Sequence, residues 1–176
     1  MKKHYLYIIC VCFIVLGIFS CSDTVPVSKE TSEKPILYPD YADVTMPNNI
    51  APLNFKIQNA HTEAFAVFCF EEVKLQVKEK KGQFHIPAAN WKKLLRKATG
   101  KTIQVKLYAK DKEWLSYPEF SLFIAQEPMD SYLAYRLIEP GYELWNQMGI
   151  YQRSLETYEQ SPIMENKHSG QNCMNC

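Results

Sequence analysis

Apolar and polar residues alternate along most of the chain, and this pattern predicts short β-strands. Val73, Leu75 and Val77 alternate with polar residues, as expected of a strand with one solvated face. Residues 64–70 are apolar throughout, which is typical of a central strand covered on both faces. Similar patterns predict further strands at 53–57, 84–86, 103–109, 119–127, 132–138 and 150–158.

One amphipathic helix interrupts the strands, after Pro87 and before Gly100. Its apolar positions recur at the spacing of a single helix face: Trp91, Leu94, Leu95 and Ala98. Its outer face carries four cations: Lys92, Lys93, Arg96 and Lys97. Solvation explains these cations, and binding of an anionic glycan or a lipid headgroup is the alternative. About seven short strands with one inserted helix predict a mainly β fold, namely an antiparallel immunoglobulin-like β-sandwich in which the α-helix is a crossover.

The N-terminus has the pattern of a bacterial lipoprotein signal peptide. Lys2 and Lys3 precede an apolar stretch over residues 5–19, which is shorter than the roughly 20 residues of a membrane span. The sequence Ile-Phe-Ser-Cys that ends at Cys21 looks like a lipobox, in which the cysteine thiol takes a diacylglycerol before cleavage. We therefore expect a signal peptide over 1–20 and a lipid on Cys21. A plain signal peptide or a short N-terminal anchor is the alternative.

The remaining chain divides into three expected regions. Residues 21–37 are polar and predict a lipidated, flexible tether, and residues 38–164 form the predicted β-sandwich domain. From residue 160 the chain turns polar, so we expect an unstructured tail over 165–176. The full chain has 20 basic and 19 acidic residues, a near balance that does not favour nucleic acid as a partner.

The types and spacing of the reactive residues favour a non-catalytic protein. The sequence contains no nucleophile elbow, phosphate-binding loop or Gly-rich dinucleotide turn. His61 and His85 stand alone, as structural or surface histidines usually do. Cysteines do not form a disulfide framework, because Cys10 and Cys12 leave with the signal peptide and Cys21 is capped by lipid. We therefore expect no enzymatic activity.

The chain ends in a Cys-x-x-Cys pair, Cys173 and Cys176, whose spacing suits three chemistries. A thioredoxin-type dithiol needs a strand that feeds a helix N-terminus. A zinc site needs further ligands, and His168 is the nearest. Covalent haem attachment uses C-x-x-C-H, in which both thiols form thioethers and the histidine ligates the iron. This sequence stops before that histidine, so we interpret it as a truncated haem motif.

Three segments carry a resemblance to a known family. They are residues 47–55 (Pro-Asn-Asn-Ile-Ala-Pro-Leu-Asn-Phe), residues 136–145 (Arg-Leu-Ile-Glu-Pro-Gly-Tyr-Glu-Leu-Trp) and the final Asn-Cys-Met-Asn-Cys. The chain resembles the N-terminal portion of bacterial lipoproteins that run from a lipobox through a β-rich domain and one C-x-x-C-H into a TolB-like (WD40-like) β-propeller. The likeness covers essentially all of the mature chain but lacks the propeller.

The resemblance implies that Cys173 and Cys176 are haem thioether thiols. We expect no haem on the chain as written and haem c in a full-length version. Second axial ligands in reach of the sequence are Met148, Met164 and His168, among which the spacing does not choose.

These observations predict a lipid-anchored, non-catalytic cell-envelope module. It would be held on a bacterial membrane, expected to be the outer membrane on its periplasmic or surface side, as part of a longer haem and propeller lipoprotein for electron transfer or protein contacts. One alternative is a complete small lipoprotein with a redox or metal-binding dithiol. Another is a glycan-binding β-sandwich that uses the rings of Trp114, Tyr117 and Trp145.

Overall fold

The computed structural model describes residues 26–138, 140 and 143–170. Cys21, Cys173 and Cys176 lie outside this part of the chain, as does the predicted signal peptide. The strands in chain order are β1 (Lys29–Glu30), β2 (Leu37–Tyr38), β3 (Val44–Met46), β4 (Lys56–Ile57), β5 (Glu63–Phe70), β6 (Val73–Lys78), β7 (Thr102–Lys110), β8 (Trp114–Ser116), β9 (Phe120–Ile124), β10 (Tyr132–Leu137), β11 (Gly149–Ser154) and β12 (Gln160–Glu165). The α-helix, α1, spans Ala88–Ala98, and two 3-10 helices span Trp145–Gln147 and Asn166–Ser169.

A seven-stranded sheet forms the body of the molecule, with β7 at its centre. One edge of β7 pairs with β5, which pairs in turn with β6. The other edge pairs first with β9 and then with β8, because β7 is long enough for both. The outermost strands β3 and β1 run parallel to β9 and β8, respectively. A three-stranded sheet of β10, β11 and β12 and a short pair of β2 and β4 complete the strands.

Helix α1 connects β6 to β7 and lies over the seven-stranded sheet. Its predicted apolar face is buried, and the Trp91 ring meets the edge of Phe68 from β5 at 5.8 Å between centroids. Thr99 ends the helix and Gly100 follows with φ of 71°, a conformation that glycine adopts without strain. Phe55 and Phe84, with ring centroids 4.7 Å apart, extend the same core beyond the helix. The main core therefore lies between one helix and one face of the sheet.

The predicted mainly β class with one helix is confirmed. The strands predicted at 64–70, 73–77, 103–109 and 132–138 match β5, β6, β7 and β10 closely. The expected antiparallel pairing holds for most of the sheet but not for β1 with β8 or β3 with β9, which are parallel. Only Lys56–Ile57 forms a strand within 53–57, and Phe84 makes an isolated bridge to Phe55.

The chain is ordered beyond the boundaries that the sequence predicts. Within the expected tether of 21–37, Lys29–Glu30 pairs with β8 and Leu37 is buried. Within the expected tail of 165–176, Glu165 and Asn166 are buried, and ordered structure continues to Gly170. Backbone pairing to an existing strand explains these additions, because it needs no apolar periodicity. No helix in the described part of the chain is long and apolar enough to cross a membrane.

Candidate functional site: the C-terminal sheet and its junction with the body

The three-stranded C-terminal sheet, β10–β12, presents large apolar side chains to solvent. Tyr132, Leu133 and Ile163 are each more than half exposed, as is Leu144 in the connection from β10 to β11. The central strand β11 supplies the buried positions of this sheet, among them Tyr151. Tyr132 and Leu133 are neighbours along β10 and therefore point to opposite faces, so apolar side chains are exposed on both faces of this sheet.

A polar junction joins the C-terminal sheet to the body, and Asn49 lies at its centre. The Asn49 amide donates to the Met129 carbonyl at 2.8 Å and accepts from the Met129 backbone N–H at 3.0 Å. It also donates to Oε1 of Glu156 at 3.2 Å. The Ser131 hydroxyl donates to the same oxygen at 2.9 Å. Bonds from Ser131 and then from Asn49 hold the pKa of Glu156 below its ordinary value.

The residues around Asn49 extend this junction to the helix and to the sheet. Asn48 donates to the Gln126 carbonyl at 2.8 Å, and the indole N–H of Trp91 donates to the Ile50 carbonyl at 3.0 Å. The backbone N–H of Ala51 donates to the Leu155 carbonyl at 2.8 Å. The segment 47–55, which carries part of the family resemblance, therefore connects helix α1 and the segment after β9 to the turn after β11.

A second polar cluster lies at the end of the C-terminal sheet, around the buried carboxylate of Glu165. The Tyr151 hydroxyl is 2.5 Å from Oε1 of Glu165 and 2.7 Å from the Gln147 carbonyl oxygen, so its single hydrogen has two acceptors within reach. Lys167 Nζ is 2.5 Å from Oε2 of the same carboxylate. The hydrogen bond from Lys167, followed by that from Tyr151, lowers the pKa of Glu165. The cluster therefore keeps a charged carboxylate beneath the last turn of the described chain.

The last turn of the described chain, Asn166–Ser169, is held to the preceding 3-10 helix. The fully buried Asn166 amide donates to the Trp145 carbonyl at 3.1 Å, and its backbone N–H donates to the Met148 carbonyl at 3.0 Å. Nδ1 of His168 accepts a long bond of 3.4 Å from the Glu165 backbone N–H. The chain is thus fixed as far as Gly170, shortly before the Cys-x-x-Cys pair.

The predicted site residues fall in different places. Cys21, Cys173 and Cys176 lie outside the described residues. Of the possible axial ligands, Met148 is buried, whereas Met164 is 39 % exposed and His168 is exposed. Among the described residues, no group of three or more histidine, cysteine or carboxylate side chains is placed to hold a metal ion.

The three aromatic residues proposed for glycan binding do not form a common platform. Tyr117 is buried, and burial raises the pKa of its hydroxyl. Trp114 is half-buried and packs edge-on against Phe65, with the two ring centroids 5.4 Å apart. Lys110 Nζ lies 5.9 Å from the centroid of the Trp114 ring. Trp145 lies in the 3-10 helix that precedes β11.

Sequence reasoning missed the polar residues of both clusters, among them Glu156 and Glu165. No periodicity marks them, because each contributes one side chain from a turn or a strand end. The resemblance of segment 47–55 was the only signal that could have pointed to Asn49. Comparison of the chain with protein-family models, curated proteins and solved structures found no match.

Proposed function

We propose that this protein is a non-catalytic, lipid-anchored module of the bacterial cell envelope. Cys21 carries the lipid, and the folded domain positions the segment with Cys173 and Cys176 as the N-terminal part of a longer haem and propeller lipoprotein. Its role is electron transfer or protein contact at the membrane surface. The immunoglobulin-like sandwich that the strand pattern predicts stays a prediction, and nothing in this proposal depends on it.

The observation that carries the proposal is the fixed end of the described chain. Asn166 is fully buried and bonded to Trp145 and Met148, so the domain holds its last turn rigidly, three residues before Cys173. A rigid support on this side is what a covalently attached group needs for a defined position. The exposed apolar side chains of the C-terminal sheet lie in the same part of the fold and supply a contact surface.

The residues near this end partly fit a haem ligand set. Met164 offers an accessible thioether, whereas the thioether of Met148 is enclosed. The Nδ1 atom of His168 lies 3.4 Å from the Glu165 backbone N–H, which occupies that nitrogen. Of these residues, Met164 would hold a haem most readily, because its side chain is the accessible thioether. A bound haem would supply one-electron chemistry, and the domain would supply its position.

Lipid labelling of living bacteria tests the anchoring. Cells that produce the full chain are fed an alkyne fatty acid, and we expect label on the protein and recovery in the membrane fraction. Cys21→Ala should abolish both, whereas the control Cys12→Ala, in the same apolar stretch, should retain both. Labelling that survives Cys21→Ala would contradict the proposal.

The coding sequence after Cys176 tests the second part of the proposal, namely that this domain belongs to a longer haem and propeller lipoprotein. An in-frame histidine codon followed by a long reading frame is the expected result. A stop codon directly after Cys176 would instead favour the small lipoprotein with a redox or metal-binding dithiol, in which Cys173 should react with alkylating reagents unusually fast.

A further inference from the structure

A cleft of about 470 Å³ lies between α1, the segment 48–52 and the turn at 156–157. Its apolar wall comes from Ile50, Pro52 and Leu95, with Trp91 beneath them. The volume lies within the range of about 300–1,000 Å³ that small-molecule sites occupy. The cleft shares Asn49 and Glu156 with the junction, and no residue of the Asn166–Ser169 turn lines it.

Two cations of the helix, Lys92 and Arg96, line this cleft one turn apart. Helix α1 contains no acidic residue, and within the described chain neither Lys92 nor Arg96 forms a salt bridge. The charge of Lys92 acts on Glu156 from a longer distance, where it helps to lower the pKa of that carboxyl. Several lysines of the sheet do form salt bridges, such as Lys106, whose Nζ lies 3.8 Å from Oε1 of Glu119. Lys92 and Arg96 are therefore positioned for an anionic group from outside the domain, and an arginine guanidinium matches the geometry of a carboxylate.

The opposite wall of the cleft is polar and contains one carboxylate. Both hydrogen bonds that hold Glu156 end on Oε1, and among the described residues no donor reaches Oε2. The lowered pKa of Glu156 keeps this oxygen charged at neutral pH, as an acceptor for a ligand hydroxyl. Asn48, Thr99 and Thr157 place further hydrogen-bonding side chains along the rim.

We propose that this cleft binds an acidic sugar, either free or at the end of a glycan chain. The sugar carboxylate pairs with Lys92 and Arg96, its hydroxyls donate to Glu156 and the rim, and its C–H face packs on Ile50 and Pro52. The pairing of two cations with one carboxylate selects a polyhydroxylated monoanion. Inorganic phosphate can also pair with the two cations, but it has no C–H face to pack on Ile50 and Pro52, so the apolar wall adds nothing to its binding.

An NMR titration of the full chain in non-ionic detergent tests this assignment. Glucuronate is the probe, and glucose and inorganic phosphate are the reference compounds. We expect saturable shifts of the Trp91 indole N–H, which is bonded to Ile50 inside the cleft, with glucuronate but much smaller shifts with glucose or phosphate.

A pair of double variants on the same helix supplies the matched control. Lys92→Glu with Arg96→Glu should weaken glucuronate binding by about tenfold or more, since it replaces both charge-assisted bonds with repulsion. Lys93→Glu with Lys97→Glu makes the same change of charge at positions outside the cleft and should retain binding. Absence of saturable shifts, equal losses in both double variants, or phosphate binding as tight as glucuronate would each overturn the proposal. Lipid labelling of Cys21 does not depend on the cleft, so failure of this proposal can be distinguished from failure of the proposed anchoring.

Discussion

The side-chain amide of Asn49 and the backbone of Met129 bind each other in both directions, with bonds of 2.8 and 3.0 Å. The Asn49 side chain thus bonds to both the N–H and the carbonyl of Met129, as the backbone of a paired β-strand residue would. The same amide reaches Glu156, so one side chain joins the segment after β9 to the turn after β11. The attachment of the C-terminal sheet to the body thus depends strongly on a single residue.

Asn49→Ala should therefore destabilise the protein more than Asn48→Ala does. The first variant leaves the backbone N–H and carbonyl of Met129 without their partner and removes one of the two donors to Glu156, which costs about 2–3 kcal/mol in the free energy of unfolding. The control removes one exposed bond to Gln126 and should cost about 1 kcal/mol or less. Urea unfolding followed by circular dichroism measures both. Equal losses would contradict the central position that we assign to Asn49.

A tight approach of backbones within the C-terminal sheet leads to a second prediction. A Cβ atom on Gly149 would overlap the Met164 carbonyl oxygen and lie 2.9 Å from Cα of Glu165. Gly149→Ala should push β12 away from β11 and cost about 3 kcal/mol or more, because backbone atoms have no alternative rotamer. In Gly100→Ala, the control, the new Cβ meets open space and only the φ of 71° is strained, at about 1 kcal/mol.

Thermal unfolding separates these two glycine variants. We expect a clearly larger fall of Tm for Gly149→Ala than for Gly100→Ala, together with new exposure of Tyr151, which is buried in β11. A Gly149→Ala protein as stable as the control would mean that β12 is not held where the structure has it.

The body of the fold could be predicted from the sequence because its strands and helix bury side chains at a regular spacing. In β5 the run from Ala64 to Phe68 is buried at every position, and in α1 each predicted apolar position is buried. Strand β12 could not be predicted, since five of its six residues are exposed and Pro162 interrupts them. Backbone bonds to β11 hold it in place, and such bonds leave no mark on the pattern of side chains.

The junction was equally hard to predict, for a related reason. Asn49 contacts Met129 and Glu156, which lie 80 and 107 positions away, and a single sequence carries no signal for such pairs. The cations of α1 were recognised, but the pattern could not tell that Lys92 and Arg96 line a cleft whereas Lys93 and Lys97 do not. That distinction depends on where segment 48–52 lies, and the segment has no periodicity.

The contact between His61 and Glu79 supplies a third prediction, because its side chains are nearly enclosed whereas those of Lys101 and Glu71 are exposed. His61 Nε2 lies 2.9 Å from Oε2 of Glu79, with the two side chains only 11 % and 10 % exposed. Nδ1 lies 2.6 Å from the Asn59 carbonyl oxygen, which can only accept, so this nitrogen carries a proton. Lys101 and Glu71 are as close, at 3.0 Å, but are 58 % and 63 % exposed.

Double-mutant cycles with alanine should distinguish these two pairs. We expect a coupling energy of about 1–3 kcal/mol for His61 with Glu79 and below about 1 kcal/mol for Lys101 with Glu71, because water screens the exposed pair. Added salt should reduce the second coupling and change the first little. Similar couplings and similar salt dependence would show that enclosure does not strengthen the histidine pair.

The buried carboxylate of Glu165 gives a prediction on pH. Its pKa in the folded protein is lowered from 4.5, first by Lys167 and then by Tyr151. A group with a depressed folded pKa stabilises the fold above its unfolded pKa, and this contribution is lost as pH falls through the folded value. In the wild-type protein the contribution should therefore be complete above about pH 5 and decline below pH 4.5.

Glu165→Gln removes this charge and should remove this part of the pH dependence. The free energy of unfolding of wild type minus that of Glu165→Gln should be positive and constant near neutral pH and should shrink below pH 4.5. Glu156, whose pKa is also lowered, is present in both proteins, so its effect cancels in the difference. Tyr151→Phe removes one of the two donors and should leave a smaller decline, since Lys167 still pairs with the carboxylate. Urea unfolding at a series of pH values measures all three proteins. A difference that stays constant down to pH 3 would mean that the carboxylate is not stabilised by these two neighbours.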